Sequence, residues 1–229
     1  MKLTSAAKVL YDLMFCKDFS LEVLRTELES GKYTADDVNL AAYTYVDDCQ
    51  NDLMDEDYEI HHNGLGEIIA GYESSHLLEV VELLLQYGLD PNKVYDDECN
   101  IMDALRYIDN GYQAADALIL LVEHGGNPCL ILDGTSIVRD ADFDLGFDLN
   151  EQEDRIRYDA FVHYWMALIG CGGRLEDGTI PFDPCGHFDV SNFKNHRQYY
   201  YGAIHSERSN DHWEICFFDK DTNWEVGRY

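Results

Sequence analysis

Basic residues are scarce in this chain of 229 residues, which carries 16 Lys and Arg against 45 Asp and Glu. The formal net charge of −29 repels nucleic acids and anionic lipids and attracts basic partners. No apolar run approaches the roughly 20 residues that a membrane-spanning helix needs. The composition therefore favours a basic protein as partner over nucleic acid or a membrane, with solubility alone as the other explanation of the charge.

Paired cysteine motifs are also missing. The seven cysteines form no CxxC pair, and their odd number does not suit a disulfide framework. Scattered thiols are typical of a reducing compartment, so we expect a cytoplasmic protein. Residues 1–15 could be mistaken for a signal peptide, but Lys8 and Asp12 interrupt the apolar stretch and favour an amphipathic helix. The cysteines are Cys16, Cys49, Cys99, Cys129, Cys171, Cys185 and Cys216.

Catalytic motifs are absent from the sequence as well. The chain has no GxSxG motif, and its glycine pairs at residues 125–126 and 172–173 follow helical patterns. A phosphate-binding loop needs glycines before a helix, so this is the wrong context. We therefore expect a protein without enzymatic activity and without a cofactor. An enzyme with its site in the aromatic C-terminal part is the alternative.

One helical pattern occurs twice in the chain. Residues 80–92, VVELLLQYGLDPN, and residues 118–130, LILLVEHGGNPCL, each contain an apolar helix, a glycine and a turn closed by proline. Gly88 aligns with Gly125 at an offset of 37 residues. Glycine takes the left-handed conformation that closes a helix, and proline prevents a restart. Both copies therefore predict a helix end at the same place in a repeated unit.

This unit of short helix, turn, longer apolar helix, glycine and acidic loop resembles the ankyrin repeat family. The family's unit of about 33 residues has a β-turn and two helices. GLDPN at residues 88–92 is close to the family's helix end, and VVELLL at residues 80–85 is close to its second helix. NIMDAL at residues 100–105 replaces the first-helix signature T-P-L-H-x-A. The resemblance is clearest over residues 62–134 and implies stacked helical pairs that bury a continuous core.

Weaker copies of the unit flank this region. Helical patterns also end at Gly31 and at Gly172, the latter 47 residues after Gly125. We therefore expect the fold class to be mainly α, an ankyrin-like helical repeat stack over residues 1–184 with a small β-rich C-terminal segment. An unrelated helical bundle is the alternative.

The composition changes near residue 184. Residues 1–184 carry 38 acidic and 11 basic residues, a net charge of −27, whereas residues 185–229 carry 7 and 5, a net charge of −2. The second segment holds 10 of the 29 aromatic residues, and its apolar residues alternate with period two. We predict an aromatic β-hairpin or three-stranded meander over residues 185–229, packed on the end of the stack.

Two sets of residues have side chains of the types that bind metal ions. Asp140–Glu151 has acids at positions 1, 3, 5, 9 and 12 of an EF-hand loop, but Leu145 stands where the loop needs glycine. We expect no tight calcium site there, with a calcium-responsive protein as the alternative. A zinc set with no standard spacing, for which we expect no metal, is Cys171, Cys185, His187 and His196.

Members of the ankyrin family bind proteins through loop tips and the concave face of their inner helices. Carried over to this sequence, that surface would include Tyr95, Asp96, Asp97 and Glu98 between the two clear copies, and Asp133 at the next tip. Acidic and tyrosine side chains suit Lys and Arg. We therefore expect a non-enzymatic protein–protein interaction module that binds a basic partner. The alternative is an acidic inhibitor of the immunity-protein type, or a nucleic-acid mimic, that blocks a basic active surface.

Overall fold

The computed structural model describes residues 3–14, 16, 18–51, 67–95, 99–108, 111–139, 152–205 and 213–229. Asp96, Asp97, Glu98 and the stretch Asp140–Glu151 lie outside this part. The helices are α1 (Ser5–Met14), α2 (Leu21–Glu29), α3 (Ala35–Asn51), α4 (Glu67–Gln86), α5 (Ile101–Ala104), α6 (Gly111–Glu123) and α7 (Gln152–Gly170), with 3-10 segments η1 (Leu105–Tyr107) and η2 (Val190–Gln198). The strands are β1 (Val94–Tyr95), β2 (Cys99–Asn100), β3 (Ile131–Leu132), β4 (Thr135–Ser136), β5 (Asp183–Pro184), β6 (Tyr199–His205), β7 (Trp213–Asp219) and β8 (Glu225–Arg228).

The expected fold class, a mainly α ankyrin-like stack, is wrong. The fold is mixed α/β in the described residues. Strands β1–β2 and β3–β4 form two short antiparallel hairpins inside the predicted helical part, and β5-β8-β7-β6 form a four-stranded antiparallel sheet. The fold differs from the prediction for two reasons. The loops after α4 and α6 each form a short hairpin through backbone hydrogen bonds, and aromatic residues near the C-terminus favour extended backbone.

Helix ends of one geometry occur three times in the described residues. After α4, α6 and α7, the backbone N–H of Leu89, Gly126 and Gly173 donates to the carbonyl five residues earlier, at 3.0, 2.9 and 2.9 Å. The residue just before each donor is a glycine with a φ of +98, +97 or +99°, the left-handed conformation that this motif requires. The acceptors of these bonds are buried leucines that are at most 1% exposed: Leu84, Leu121 and Leu168.

Aromatic side chains join the C-terminal sheet to α7. The ring of Trp165 stacks on Phe217 of β7, with centroids 5.6 Å apart and planes 14° apart. Phe182 packs on the edge of the Trp165 ring, Phe193 packs against Phe182 and Phe217, and both phenylalanines are buried. The predicted boundary after residue 184 falls at the end of β5, whose Pro184 pairs with Gly227. The sheet therefore includes residues from both sides of that boundary.

A helix that crosses a bilayer needs about 20 predominantly apolar residues, and this requirement can be applied to the described ranges. Within those ranges, no helix has the length and apolar character to cross a bilayer.

Candidate protein-binding edge

Two asparagine side chains hold the turns that follow α4 and α6. The Nδ2 of Asn39 in α3 donates to the carbonyl of Gly88 at 3.0 Å, and its Oδ1 accepts from the N–H of Asp90 at 2.7 Å. The side chain of Asn92 repeats both bonds one turn later, to the carbonyl of Gly125 at 2.9 Å and from the N–H of Asn127 at 2.7 Å. The turns after α4 and α6 are therefore each fixed to an earlier segment of the chain by two hydrogen bonds.

The third helix end is held by different groups. The thiol of Cys129 donates to the carbonyl of Gly172 at 3.3 Å. The N–H of Ser136 in β4 donates to Oε1 of Glu176, and its Oγ donates to the carbonyl of Arg174, both at 2.8 Å. These contacts continue the row, so the turns that follow α4, α6 and α7 lie side by side.

A loop tip follows each of the three helix ends. Tyr95 lies at the tip of the first hairpin, where it pairs with Cys99. Asp133 and Gly134, with φ of +42 and +78°, form the turn of the second hairpin. The third tip contains Glu176 and Asp177, and it closes through a 2.8 Å bond from the N–H of Leu175 to the carbonyl of Thr179.

We define the turn edge as the exposed or half-exposed residues at or beside these tips: Asp36, Asp90, Tyr95, Asp133, Glu176 and Asp177. The Asp36 side chain is 87% exposed. Three cations lie beside the edge, two of them in ion pairs: Lys93 contacts Asp36 at 3.4 Å, and Arg139 contacts Glu176 at 2.7 Å. With Arg174, the described residues give five acids against three bases, to which the sequence adds Asp96, Asp97 and Glu98.

The carboxylates of the third tip are stabilised in their charged form. Hydrogen bonds from the side chain and N–H of Thr179 lower the pKa of Asp177. The pKa of Glu176 is also lowered, first by the N–H of Ser136 and to a smaller degree by the charge of Arg139. Both residues are exposed to solvent, so these shifts indicate fixed anions at pH 7 and not large contributions to folding.

Tyr95 differs from the other edge residues because its ring is half-buried. The ring lies 5.1 Å from that of Tyr43, and burial, together with the charges of Asp36 and Asp90, raises the pKa of Tyr95 to about 12. In the described part of the chain, its buried hydroxyl has no hydrogen-bond partner. The edge therefore offers a neutral phenol next to two carboxylates, which is a favourable environment for a Lys or Arg side chain.

The structure places Tyr95 and Asp133 on neighbouring hairpins, which the sequence analysis did not predict. Asp96, Asp97 and Glu98 are not among the described residues, and the role of all five in partner binding stays a prediction. Sequence reasoning missed Asp36, Asp90, Glu176 and Asp177 as members of the edge. The sequence pattern that could have indicated the third tip is the glycine pair at residues 172–173, which ends a helix, followed by RLEDG at residues 174–178. No sequence signal indicated Asp36, because it joins the edge only through contacts across the fold.

The four residues considered above as a zinc set, for which no metal was expected, do not form a metal-binding group in the described part of the chain. The Cys171 thiol is half-buried, and burial raises its pKa to about 11, whereas Cys185 is exposed beside Glu225. His187 is exposed and His196 is buried. No group of three or more His, Cys, Asp or Glu residues in the described ranges could hold a metal ion. The EF-hand-like stretch falls outside these ranges.

Comparisons with family models, with curated proteins and with solved structures find no match to this chain. We therefore infer function from the residues of this chain and the contacts between them.

Proposed function

We propose that this chain is a non-enzymatic protein-binding module whose turn edge binds a basic partner protein. The observation that carries the proposal is the row of three turns with exposed carboxylates on each. The Asn92 and Ser136 contacts hold the turns side by side, and Asn39 ties the first turn to α3. A row fixed in this way loses little conformational entropy on binding, which favours affinity for a complementary surface.

The charge distribution supports a basic partner. Residues 1–184 carry a net charge of −27, and the carboxylates of the edge are exposed. Exposed charges mainly accelerate encounter with a partner of opposite charge, and salt screens them over about 8–10 Å. The sequence resemblance to ankyrin repeats, a family that binds proteins through loop tips, supports the same proposal. Loss of the partner's own activity on binding would place the chain in the alternative class of acidic inhibitors.

A capture experiment with matched variants tests the proposal. The edge variant Asp90→Asn, Asp133→Asn, Asp177→Asn removes three charges and keeps the carbonyl oxygens that accept local hydrogen bonds from Asn92 and Thr179. The control variant Glu22→Gln, Glu29→Gln, Asp221→Asn removes three charges from exposed residues outside the edge.

Capture from lysate of the native host at low salt, with identification of bound proteins, should give basic proteins that the edge variant retains several-fold less than the control does. Equal retention by both variants would rule out the turn edge as the binding surface. Retention unchanged between low and high salt would rule out an electrostatic contribution.

We also propose a cytoplasmic location, because six cysteines are free thiols: Cys16, Cys99, Cys129, Cys171, Cys185 and Cys216. Cys16 and Cys185 are exposed and should react with a thiol-alkylating reagent in protein that is taken directly from its native cells. Protection of both until a reductant is added would contradict the proposal.

A further inference from the structure

Two buried histidines face each other where η2 meets α7. The Nδ1 atoms of His163 and His196 lie 3.2 Å apart, and the two residues are 3% and 1% exposed. Their ring centroids are 5.3 Å apart. At this distance one of the two nitrogens must carry a proton and the other must accept it.

An aspartate fixes the outer side of His196. The Nε2 of His196 lies 3.1 Å from Oδ1 of Asp116 in α6, and Arg197 donates to the other oxygen of the Asp116 carboxylate. The ring of Tyr112 packs on both imidazoles, at 4.4 Å from His163 and 5.8 Å from His196. The guanidinium of Arg197 lies 4.7 Å from the same ring. His196 is therefore enclosed by α6 and by its own segment.

His163 lies near a second carboxylate on the side of its ring that faces away from His196. Its Nε2 lies 3.9 Å from Oδ2 of Asp159, one helical turn earlier in α7. Asp159 shares a hydrogen bond with the hydroxyl of Tyr201 in β6. Lys220, just after β7, donates to the carbonyl of Arg197 and adds a positive charge near the pair. Groups from α6, α7, η2, β6 and the end of β7 thus meet at this contact.

The contacts determine which nitrogens carry protons. A carboxylate can only accept, so Nε2 of His196 carries the proton that Asp116 receives. Neutral His196 then has a lone pair on Nδ1, and His163 must donate from its own Nδ1. The Nε2 of His163 is left without a proton, facing Asp159. The docked pair therefore holds two protons on four ring nitrogens.

Full protonation is incompatible with this geometry. A doubly protonated pair would place two N–H donors against each other at 3.2 Å, and it would place two cations beside Arg197 and Lys220 in a buried site. One added proton has a place only on Nε2 of His163, towards the half-exposed Asp159. The contact can persist only while at least one of its two facing nitrogens is unprotonated.

We propose that the His163–His196 contact is a proton-operated latch that docks residues 190–198, and the sheet that follows them, onto α6 and α7. The closed latch covers the aromatic core around Trp165, Phe193 and Phe217. Acidification opens it and exposes that core.

The directions of the pKa shifts agree with the latch. Burial lowers the pKa of His163 to about 3, and the neighbouring His196, Lys220 and Arg197 add to the effect. Burial also lowers the pKa of His196, although Asp116 opposes it. For a histidine with a lowered pKa, the docked state is fully favoured above the free value of 6.5 and loses stability as the pH falls towards the folded value. Burial raises the pKa of Asp159, so protonation of that carboxyl offsets part of the loss.

Hydrogen exchange of the full chain at several pH values tests this inference, after correction for the intrinsic exchange rate. Between pH 7.5 and pH 5 the protection of residues 190–202 should fall about 30-fold for each histidine that stays neutral when docked. The C-terminal half of α4, residues 77–86, is the reference, and its protection should fall less over the same pH range. Equal losses in both regions would indicate global acid unfolding and overturn the latch.

Two single substitutions separate a proton switch from a merely structural contact. His163→Asn places an amide N–H where Nδ1–H was and takes up no proton. The variant should therefore dock at pH 7.5. Between pH 7.5 and pH 5, the logarithm of its protection at residues 190–202 should fall about half as much as in the unaltered protein. His187→Asn, at an exposed position three residues before η2, should show the same pH dependence as the unaltered protein. A parental pH slope in His163→Asn would overturn the proposal.

Nitrogen-15 spectra of the unaltered protein supply a test that needs no variant. At pH 7.5 we expect His163 protonated on Nδ1 and His196 protonated on Nε2. Neither ring should titrate near pH 6.5. Two rings that both carry the proton on Nε2, or that both titrate like free imidazole, would refute the latch.

Discussion

Asn92 donates a 2.9 Å hydrogen bond from its side chain to the carbonyl of Gly125, which lies 33 residues further along the chain. The acceptor belongs to a glycine with positive φ at a helix end, where the last carbonyls lack intrahelical partners. The asparagine therefore satisfies a carbonyl of one unit from the turn of the unit before it. Asn39 forms the equivalent bond to Gly88.

Asn39→Ala should lower the free energy of unfolding by about 1–3 kcal/mol, because it removes two partly buried hydrogen bonds that the buried Asn39 side chain makes to the backbone of Gly88 and Asp90. Asn92→Ala should cost less, about 0.5–1.5 kcal/mol, because its bonds are exposed to water. Urea denaturation measures both, with the exposed Asn192→Ala as control. A smaller effect for Asn39 than for Asn92 would contradict this explanation.

Leu84→Ala and Leu121→Ala should each destabilise the fold by about 2–5 kcal/mol, the usual range for a buried leucine. Both side chains occupy the same position relative to a helix end, so the two losses should be similar. Val23→Ala, at a residue that is 51% exposed, is the matched control and should change stability by less than about 0.5 kcal/mol. Thermal and urea unfolding followed by circular dichroism give the comparison.

Tyr95→Phe should leave stability unchanged or raise it by up to about 1 kcal/mol. The reason is that the substitution removes a buried hydroxyl without a hydrogen-bond partner in the described part of the chain. Tyr95→Ala should destabilise, because it also removes the ring that packs on Tyr43. A loss of more than about 1 kcal/mol in the Phe variant would show that the hydroxyl is bonded in solution.

The charges of the turn edge should act mainly on the association rate. Neutralising Asp96, Asp97 and Glu98 as Asn, Asn and Gln should slow binding of the partner more than it speeds dissociation, and added salt should reduce the difference. Stability should stay within about 0.5 kcal/mol per substitution. Surface-plasmon kinetics at two salt concentrations measure this once the partner is identified. Unchanged association rates would leave solubility as the explanation of the acidity at that tip.

The acidic stretch Asp140–Glu151 should have no tight calcium site, and any binding should be no stronger than the high-micromolar range. The residue at the sharp turn of the EF-hand loop is Leu145, which disfavours the backbone conformation that glycine provides there. Calorimetry at physiological ionic strength is the measurement. A saturable one-to-one isotherm that Asp140→Ala abolishes would contradict the prediction.

Local chemistry explains what could be predicted from the sequence. Glycine at residues 88 and 125 indicated the helix ends, since a left-handed residue closes a helix whatever packs against it. Alternating aromatic residues after 185 indicated strands, and β6, β7 and β8 are present there. Two-residue hairpins such as β1–β2 and β3–β4 are too short for a periodic signal, and omitting them made the predicted fold class wrong.

By itself, the sequence determined the helix ends, the first two tips of the turn edge and the unequal charge of its two parts, because these depend on neighbours along the chain. Only the tertiary structure brought Asp36 beside Lys93, and only it brought Asp116, His163 and His196 into one buried network across separations of 33 and 80 residues. Hydrogen bonds over such separations depend on how helices and sheet pack. No local pattern of residue types specifies that packing, because many residues of the same types are present and only a few are brought together.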